Sequence, residues 1–554
     1  MNRFADIALH LAPDDPYAGW YREALRHAGI PFQELKDQNF SRLPEFSLLI
    51  LGGRGEFNEN RRRQIADWCD VQSGRIVACG STWGLDVILG LGQTEGYDLR
   101  VTIEPGASGE RLWPTGALSS YGYVAPHLEL KGAQIALKAK DGKPVVTRNP
   151  RGLVIAPDLG ATMSLLLLGR SVEGSSFLGC DAGLRLPDDW GRVDDGTQLN
   201  GESDRTQLEG VDFPIHLRPH ADTLREIFLR AVVEANDLSG RSLALPWYWP
   251  GGADAVAAVS VDVDDLNIEH LLVTISSLQR YGMPATWMVP VPGLPQDAFR
   301  AIRRIGHEIG VLFRGERETF NADQLKVQQL QLSRASGSAV ASTRVLGGYW
   351  HRRTALYEYM ADAGILYSCN KGGRQPGTAG FPFGTCHPFA PVLSDGRHLE
   401  VYEVPFTMFK PGLVTPDRAM QPLFDQVALH HGVMHLAHDT SSVTQKDRER
   451  LIQEFLMRTR QSKMANIQLD QLVDFENGRR TLRMRQAGHS LSLISDRDLS
   501  GLAMLVSDVD SSVEARGSLL KGVVVNRFGR NWTQFQFDLS RKESLDLSFR
   551  RQAA

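Results

Sequence analysis

The chain has 554 residues, several times the ~150 of a typical domain, so it folds as more than one unit. Hydrophobic residues make up 42% and charged residues 23%, the balance of a globular rather than a disordered chain. Lys plus Arg total 61 against 65 for Asp plus Glu, a net charge of −4, which excludes a nucleic-acid backbone as a bulk electrostatic partner.

The five cysteines, at 69, 79, 180, 369 and 386, form no CxxC pair. Neither a disulfide scaffold nor a cysteine-based zinc site is indicated. The opening Met1–Ile7 lacks the apolar stretch of a secretory signal. No segment reaches the ~18–20 apolar residues of a membrane span. A soluble, cytoplasmic protein is expected.

The first hundred residues alternate strand and helix signals. Phe46–Leu51 is an apolar run closed by Gly52-Gly53, and a polar helix is predicted from Asn58 to Asp70. Gly74–Gly80 reads as a second buried strand, followed by a helix carrying Leu85, Ile88 and Leu89. This alternation predicts a flavodoxin-like parallel sheet. From 98 to 215 short runs such as Ala133–Leu137 and Gly152–Ile155 lie between turns, and Ser164–Leu168 fits either strand or helix. Residues 181–211, rich in Asp, Gly and Arg, read as a long surface loop. Ala221–Asn236 has the spacing of an amphipathic helix.

Leu245–Gly252 reads as a linker, after which a second α/β pattern begins. Ala255–Val261 and Ala285–Val289 are predicted strands. Between them, Ile268, Leu271, Leu272, Ile275 and Leu278 line a helix face. Ala298–Ile305 is the next helix, and Thr444–Thr459 a later one, with Thr444 and Asp447 spaced like a capping box. From about 480 the period becomes two, as in Leu502/Met504/Val506 and Phe535/Phe537/Leu539, which predicts a small antiparallel β-sandwich. The expected units are 1–240, an α/β domain with a β-rich second half; 241–478; and 479–554.

Chemistry concentrates at Ser260-Val261-Asp262-Val263-Asp264-Asp265, where three carboxylates follow an apolar strand. Sites in α/β folds lie at such carboxyl ends. Strand alternation puts Asp262 and Asp264 on one side, suited to sharing a metal; the alternative is that Asp264 or Asp265 caps the following helix.

The surrounding motifs resemble the polysaccharide deacetylase family (NodB homology, carbohydrate esterase family 4). Gly282-Met283-Pro284-Ala285-Thr286-Trp287, Gly306-His307-Glu308-Ile309-Gly310, Gly364-Ile365-Leu366-Tyr367-Ser368, Glu403-Val404-Pro405 and Met434-His435-Leu436-Ala437-His438 follow in the family's order over roughly 245–478. The resemblance implies a distorted (β/α) barrel and metal-assisted hydrolysis of an acetyl group on a carbohydrate or polysaccharide. Carried over, Asp262 is the general base, Asp264 a metal ligand and His438 the late acid. The two histidine-ligand positions hold Leu312 and Glu316 instead. Asp264 with Glu316 is an all-oxygen pair that suits Mg²⁺ or Ca²⁺ better than zinc. A degenerate divalent-metal site without the standard zinc set is therefore expected. Other histidines considered are His351, His387, His430, His431 and His435. Tyr349 and Trp350, in a glycine-containing loop, are the candidate sugar-stacking residues; Trp247, Trp249 and Trp287 are the other aromatics near the site.

The first domain resembles a class I glutamine amidotransferase. Its elbow, Gly80-Ser81-Thr82-Trp83-Gly84, carries Thr82 where that family has its cysteine, and Cys79 lies within the strand, so this domain is expected to be non-catalytic. Two other readings follow from the residues: a non-catalytic carbohydrate-binding scaffold, and a DxD metal-dependent glycosyltransferase.

Overall fold

A computed structural model describes residues 6–93, 96–105, 111–169, 190–192, 197, 199, 204–351, 354–393, 395–487 and 490–551. Among them no helix is long and apolar enough to cross a membrane.

The first unit is built on a seven-stranded sheet. Gln33–Glu34, Ile7–Leu11, Leu48–Gly52, Arg75–Cys79 and Gly152–Ile155 run parallel in that spatial order, and Pro144–Asn149 and Gln134–Lys138 extend it antiparallel. Ile7–Leu9, Leu48–Leu51 and Ile76–Cys79 are at most 2% exposed, as expected of strands covered on both faces. Helix α1 (Gly19–Ala28) covers one part and ends at Gly29, whose φ of +72° makes a left-handed cap. The helix expected around Leu85–Leu89 is not formed; the segment makes successive turns instead, with Trp83 and Gly84 both at positive φ. Ser164–Leu168 continues the short helix Leu159–Met163 as a wider helical turn.

Helix α2 (His220–Leu238) corrects a simple amphipathic reading. It packs on the strands of the first sheet, and its buried residues include Asp222, Arg225, Glu226 and Glu234. The charges are tolerated because they pair: Arg225 with Asp222 at 2.9 Å and Arg230 with Glu226 at 2.6 Å along the helix, and Glu234 with Arg148 of strand Pro144–Asn149 at 3.3 Å. Most of 181–211 lies outside the described residues, but Trp190–Arg192 pairs antiparallel with Tyr349–His351 of the second unit.

The second unit is a curled parallel sheet whose main path has eight strands: β1 (Val256–Asp262), β2 (Ala285–Val289), β3 (Glu308–Phe313), β4 (Ser342–Val345), β5 (Tyr367–Ser368), β6 (Tyr402–Glu403), β7 (Met408–Phe409) and β8 (Val433–Asp439); the two-residue strand Ala465–Asn466 pairs beside β1 as a ninth. Their spatial order is β6-β5-β4-β3-β2-β1-β8-β7. The two edge strands do not pair. The chain between them bridges the gap: Val404 N–H donates to the Ser368 carbonyl at 2.8 Å, Phe406 to Lys371 at 2.9 Å and Thr407 to His435 at 2.9 Å. The sheet is thus a half-barrel, its two edges linked by hydrogen bonds from the connecting segment rather than by a ladder. Helix Ile268–Arg280 is capped by Asn267, not by Asp264 or Asp265. The Thr444–Asp447 capping box is absent: helix Lys446–Gln461 has Gln445 at its cap with no side-chain bond, and Thr444 Oγ1 donates back to the Ser441 carbonyl.

The third unit is a sandwich of two antiparallel sheets, one of four strands and one of five. Leu491, Leu493, Leu502, Met504, Phe535 and Leu547 fill its core. One of its strands comes from far away in sequence. Ala244–Pro246, which overlaps the start of the expected linker, pairs with Leu499–Val506, and Trp247 and Trp249 beside it are 1% exposed. The segment between the first two units is therefore part of the third.

Candidate functional site at the barrel mouth

In-register neighbours on a pleated sheet share a face. Ser260 of β1 stands beside Thr286 of β2 and Ala437 of β8, and Asp262 stands beside Met288 and Asp439. Leu312 of β3 stands beside Arg344 of β4. These residues turn into the barrel.

Arg344 organises the interior. Its side chain is fully buried; Nη1 donates to Asp262 Oδ1 at 2.8 Å, Nη2 to Ser260 Oγ at 2.6 Å, and Nε to the Cys369 carbonyl at 2.8 Å. Burial works against its charge, and the Asp262 carboxylate more than offsets this, raising the guanidinium's pKa. Ser260 lies 2.7 Å from His435 Nε2, and His435 Nδ1 lies 3.1 Å from the Pro405 carbonyl. Arginine only donates, so Ser260 Oγ accepts from Arg344 and gives its own proton to His435 Nε2. His435 Nδ1–H then donates to Pro405, which fixes the neutral tautomer. Burial first, and then Arg344, push the His435 pKa down to about 3.

Asp262 has one oxygen on Arg344. Its side chain is 12% exposed, and its other oxygen takes no partner among the described residues, so it faces the mouth. Beside it, Asp439 pairs with Lys410 and accepts from Ser442. Burial opposes ionisation of Asp439, but Lys410 outweighs it and lowers the pKa. Arg344 and Arg374 lie over the ring of Phe406 at 5.5 and 5.4 Å, and Lys410 lies over Phe409 at 5.5 Å. The mouth therefore offers one open carboxylate oxygen and the Lys410 ammonium shared with Asp439, while Phe406 and Phe409 are buried in a small cluster with Val414 and Ala437.

The other expected site residues are placed differently. Asp264 accepts from Thr440 Oγ1 at 2.9 Å, Ser441 N at 3.1 Å and Ser441 Oγ at 2.6 Å; it pins the loop after β8. Glu316 is exposed on the loop after β3, at the start of the turn Arg317–Thr319. Leu312 is 1% exposed. His438 stands in register with Val261, so its ring leaves the sheet on the face opposite Asp262. Its Nδ1 lies 3.0 Å from the Asp439 carbonyl, and burial lowers its pKa. Tyr349 is partly buried against the core. Trp350 pairs with Gly191 through its backbone, and its side chain lies outside the described residues. Trp247, Trp249 and Trp287 are buried and offer no face to a sugar.

The residues present do not fit the expected metal. Leucine has no donor atom, Asp264 has its oxygens committed to three donors, and Asp262 gives one oxygen to an arginine. Among the described residues the group spaced for metal binding is Asp222, Cys386 and His387, at the opposite end of β8, where Val433 N donates to the Cys386 carbonyl. That group is already satisfied. Asp222 accepts from Arg225, Thr385 Oγ1, Cys386 N and the Cys386 thiol, while His387 contacts His27 and the His430 carbonyl. Burial, then Asp222, push the Cys386 thiol's pKa well up, away from the thiolate a metal needs.

Two groups here carried no legible signal in sequence. Arg344 sits in an ordinary apolar-polar strand, and Lys410 in a loop; only the curl of the sheet brings them to Asp262 and Asp439.

No protein-family model matches the chain, and no curated protein matches it. Solved structures similar to it are carbohydrate-acting proteins. Agd3, a carbohydrate deacetylase, shares 9% identity over 99% of this chain and 99% of its own, with a TM-score of 0.38. A family 4 carbohydrate esterase from Bacillus anthracis shares 15% identity over 41% of this chain and 86% of its own, with a TM-score of 0.25. A pseudoenzyme of the same esterase family from Bacillus anthracis shares 14% identity over 39% of this chain and 65% of its own, also at 0.25. At these identities and scores the likeness carries no functional argument. The amidotransferase likeness of the first domain is not supported.

Proposed function

We propose that the barrel mouth binds an acetylated carbohydrate, in a deacetylase-like framework whose metal site has degenerated. The observation that carries this reading is the Asp262–Arg344 pair at the mouth of a half-barrel whose two remaining ligand positions hold Leu312 and Glu316. Arg344 fixes the orientation of the carboxylate, and the open oxygen of Asp262 accepts a hydrogen bond from a sugar hydroxyl or an acetamido N–H. Lys410 supplies a donor for an acetyl carbonyl, and the half-buried Tyr349 supplies apolar surface for a ring face. In an enzyme of the deacetylase type the metal lowers the pKa of water and polarises the acetyl carbonyl; this donor set does not provide for it, and no step is assigned through it.

Acetate release from acetylated oligosaccharides, with and without added zinc, tests this reading. The expected result is binding of the sugar without zinc-stimulated release. Release that rises with stoichiometric zinc and disappears in Asp262→Ala would establish the metal hydrolase instead.

A further inference from the structure

In the first unit the chain leaves Ile7–Leu11, forms Gln33–Glu34 on one side of it, and returns to form Leu48–Gly52 on the other. Strand order reverses there, so the loops that leave Ile7–Leu11 and Leu48–Gly52 part. In open α/β sheets ligands bind in the crevice that such a reversal opens beyond the carboxyl ends of the strands. A cavity of about 540 Å³ lies at that point, between residues 12–14 after the one strand and 54–57 after the other. Its size is within the ~300–1,000 Å³ of small-molecule sites.

His10 is the decisive group. It is 3% exposed and lines the cavity. Its Nδ1 lies 2.6 Å from the Leu35 carbonyl. A carbonyl only accepts, so Nδ1 carries the proton and Nε2 a bare lone pair. Burial lowers the ring's pKa and keeps it neutral. Phe40, Phe57 and Trp83 pack around the ring, their centroids 5.2–5.3 Å away. Nε2 has no partner among the described residues, and it is not among the side-chain nitrogens sealed off from solvent. The polar edge of a buried ring therefore opens on the cavity as an acceptor.

The rim is rich in acceptors as well. Asp14 and Glu56 line it, are exposed, and pair with no cation among the described residues. Asp37, the third carboxylate of the lining, is 3.9 Å from Arg61. Against these stands one lining guanidinium, Arg54, whose Nε is 3.6 Å from the buried Asp158. Helix Glu59–Gln72 begins just beyond Phe57 and adds about half a positive charge, which the carboxylates outweigh.

We infer that this cavity binds a small organic ammonium bearing a hydroxyl group, as in an amino sugar or an amino alcohol. Asp14 and Glu56 hold the ammonium at the rim, His10 Nε2 accepts from an N–H or O–H of the ligand, and Arg54 donates to a ligand oxygen. The same carboxylates repel a phosphate.

Calorimetric titration of the full chain with glucosamine, and separately with ethanolamine and with glucose, tests the site. Saturable binding of glucosamine alone names an amino sugar, and equal binding of ethanolamine names the amino alcohol. Glucose, which has the hydroxyls but no ammonium, should not bind. The ligand that binds should lose about tenfold in affinity in Asp14→Asn/Glu56→Gln, and should bind more weakly as salt rises. Both positions are exposed, so the melting temperature of the unliganded protein should not move. His10→Phe, which keeps a ring among its aromatic neighbours but has no Nε2, should weaken binding as well. Asp262→Ala should leave the affinity unchanged, which separates this cavity from the barrel mouth. Failure of both amines to bind, glucose binding as tightly as glucosamine, or affinity unchanged in the double variant overturns the inference.

Discussion

Arg344 and Asp262 meet from strands that are not neighbours, so their pairing depends on the curl of the sheet. Removing one partner leaves the other charge buried. Arg344→Met is therefore expected to lower stability by about 3 kcal/mol. Asp262→Asn/Arg344→Met should recover much of that loss, because a buried pair replaced on both sides loses little. Chemical denaturation of the two variants checks this; equal losses would show that the pair is not a unit. The sequence made Asp262 legible because a carboxylate closing an apolar strand is conspicuous. Asp264 was equally conspicuous, and the structure uses it to hold Thr440 and Ser441. Local sequence carries no sign of which carboxylate finds a donor from a loop 176 residues later.

At the level of elements, Glu308 ties four strands together. It opens β3, and Thr286 of β2, Ser342 of β4 and Tyr367 of β5 all donate to it. Burial, with Asp470 nearby, raises its pKa from 4.5 to about 7. The folded protein thus holds this proton more tightly than the unfolded chain. The stabilisation is complete below pH 4.5 and is lost as pH rises through about 7. Glu308→Gln, which mimics the protonated form, should remove this dependence, so the stability difference between variant and wild type should change between those pH values. A constant difference across that window, in denaturation at several pH values, would contradict the assignment. Periodicity revealed the strands and helices of the barrel well, because their apolar spacing is local. It failed at Leu85–Leu89, where apolar residues pack from turns, and at Thr444, whose hydroxyl is taken by the Ser441 carbonyl.

Across the whole molecule, the three units share segments. Ala244–Pro246 completes a sheet of the terminal sandwich, and Trp190–Arg192 pairs with the barrel loop Tyr349–His351. A chain ending at Leu482 would leave the edge of Ala244–Pro246 unpaired and uncover the adjoining apolar surface. It is expected to unfold at lower temperature and to aggregate, readable by thermal scattering; a truncated chain as stable as the full one would show the sandwich to be separable. Buried neutral histidines give the molecule a second global property. Burial lowers His27, His216 and His435 to about 3 and His431 to about 4, from 6.5. The unfolded chain takes up these protons first, so stability should fall as pH drops below 6.5. A melting temperature that holds from pH 6.5 down to 4 would contradict this. The alternation of elements made the succession of units readable from sequence, but the strand lent across the linker has no local signature.

The proposed recognition of an acetylated sugar at Asp262 requires no metal. Its most direct test is calorimetric titration of an N-acetylated oligosaccharide into chelator-treated protein, beside Asp262→Ala. Saturable binding that persists in chelator and weakens about tenfold in the variant is the predicted result. Binding that appears only when zinc is restored, or that is the same in Asp262→Ala, would contradict it.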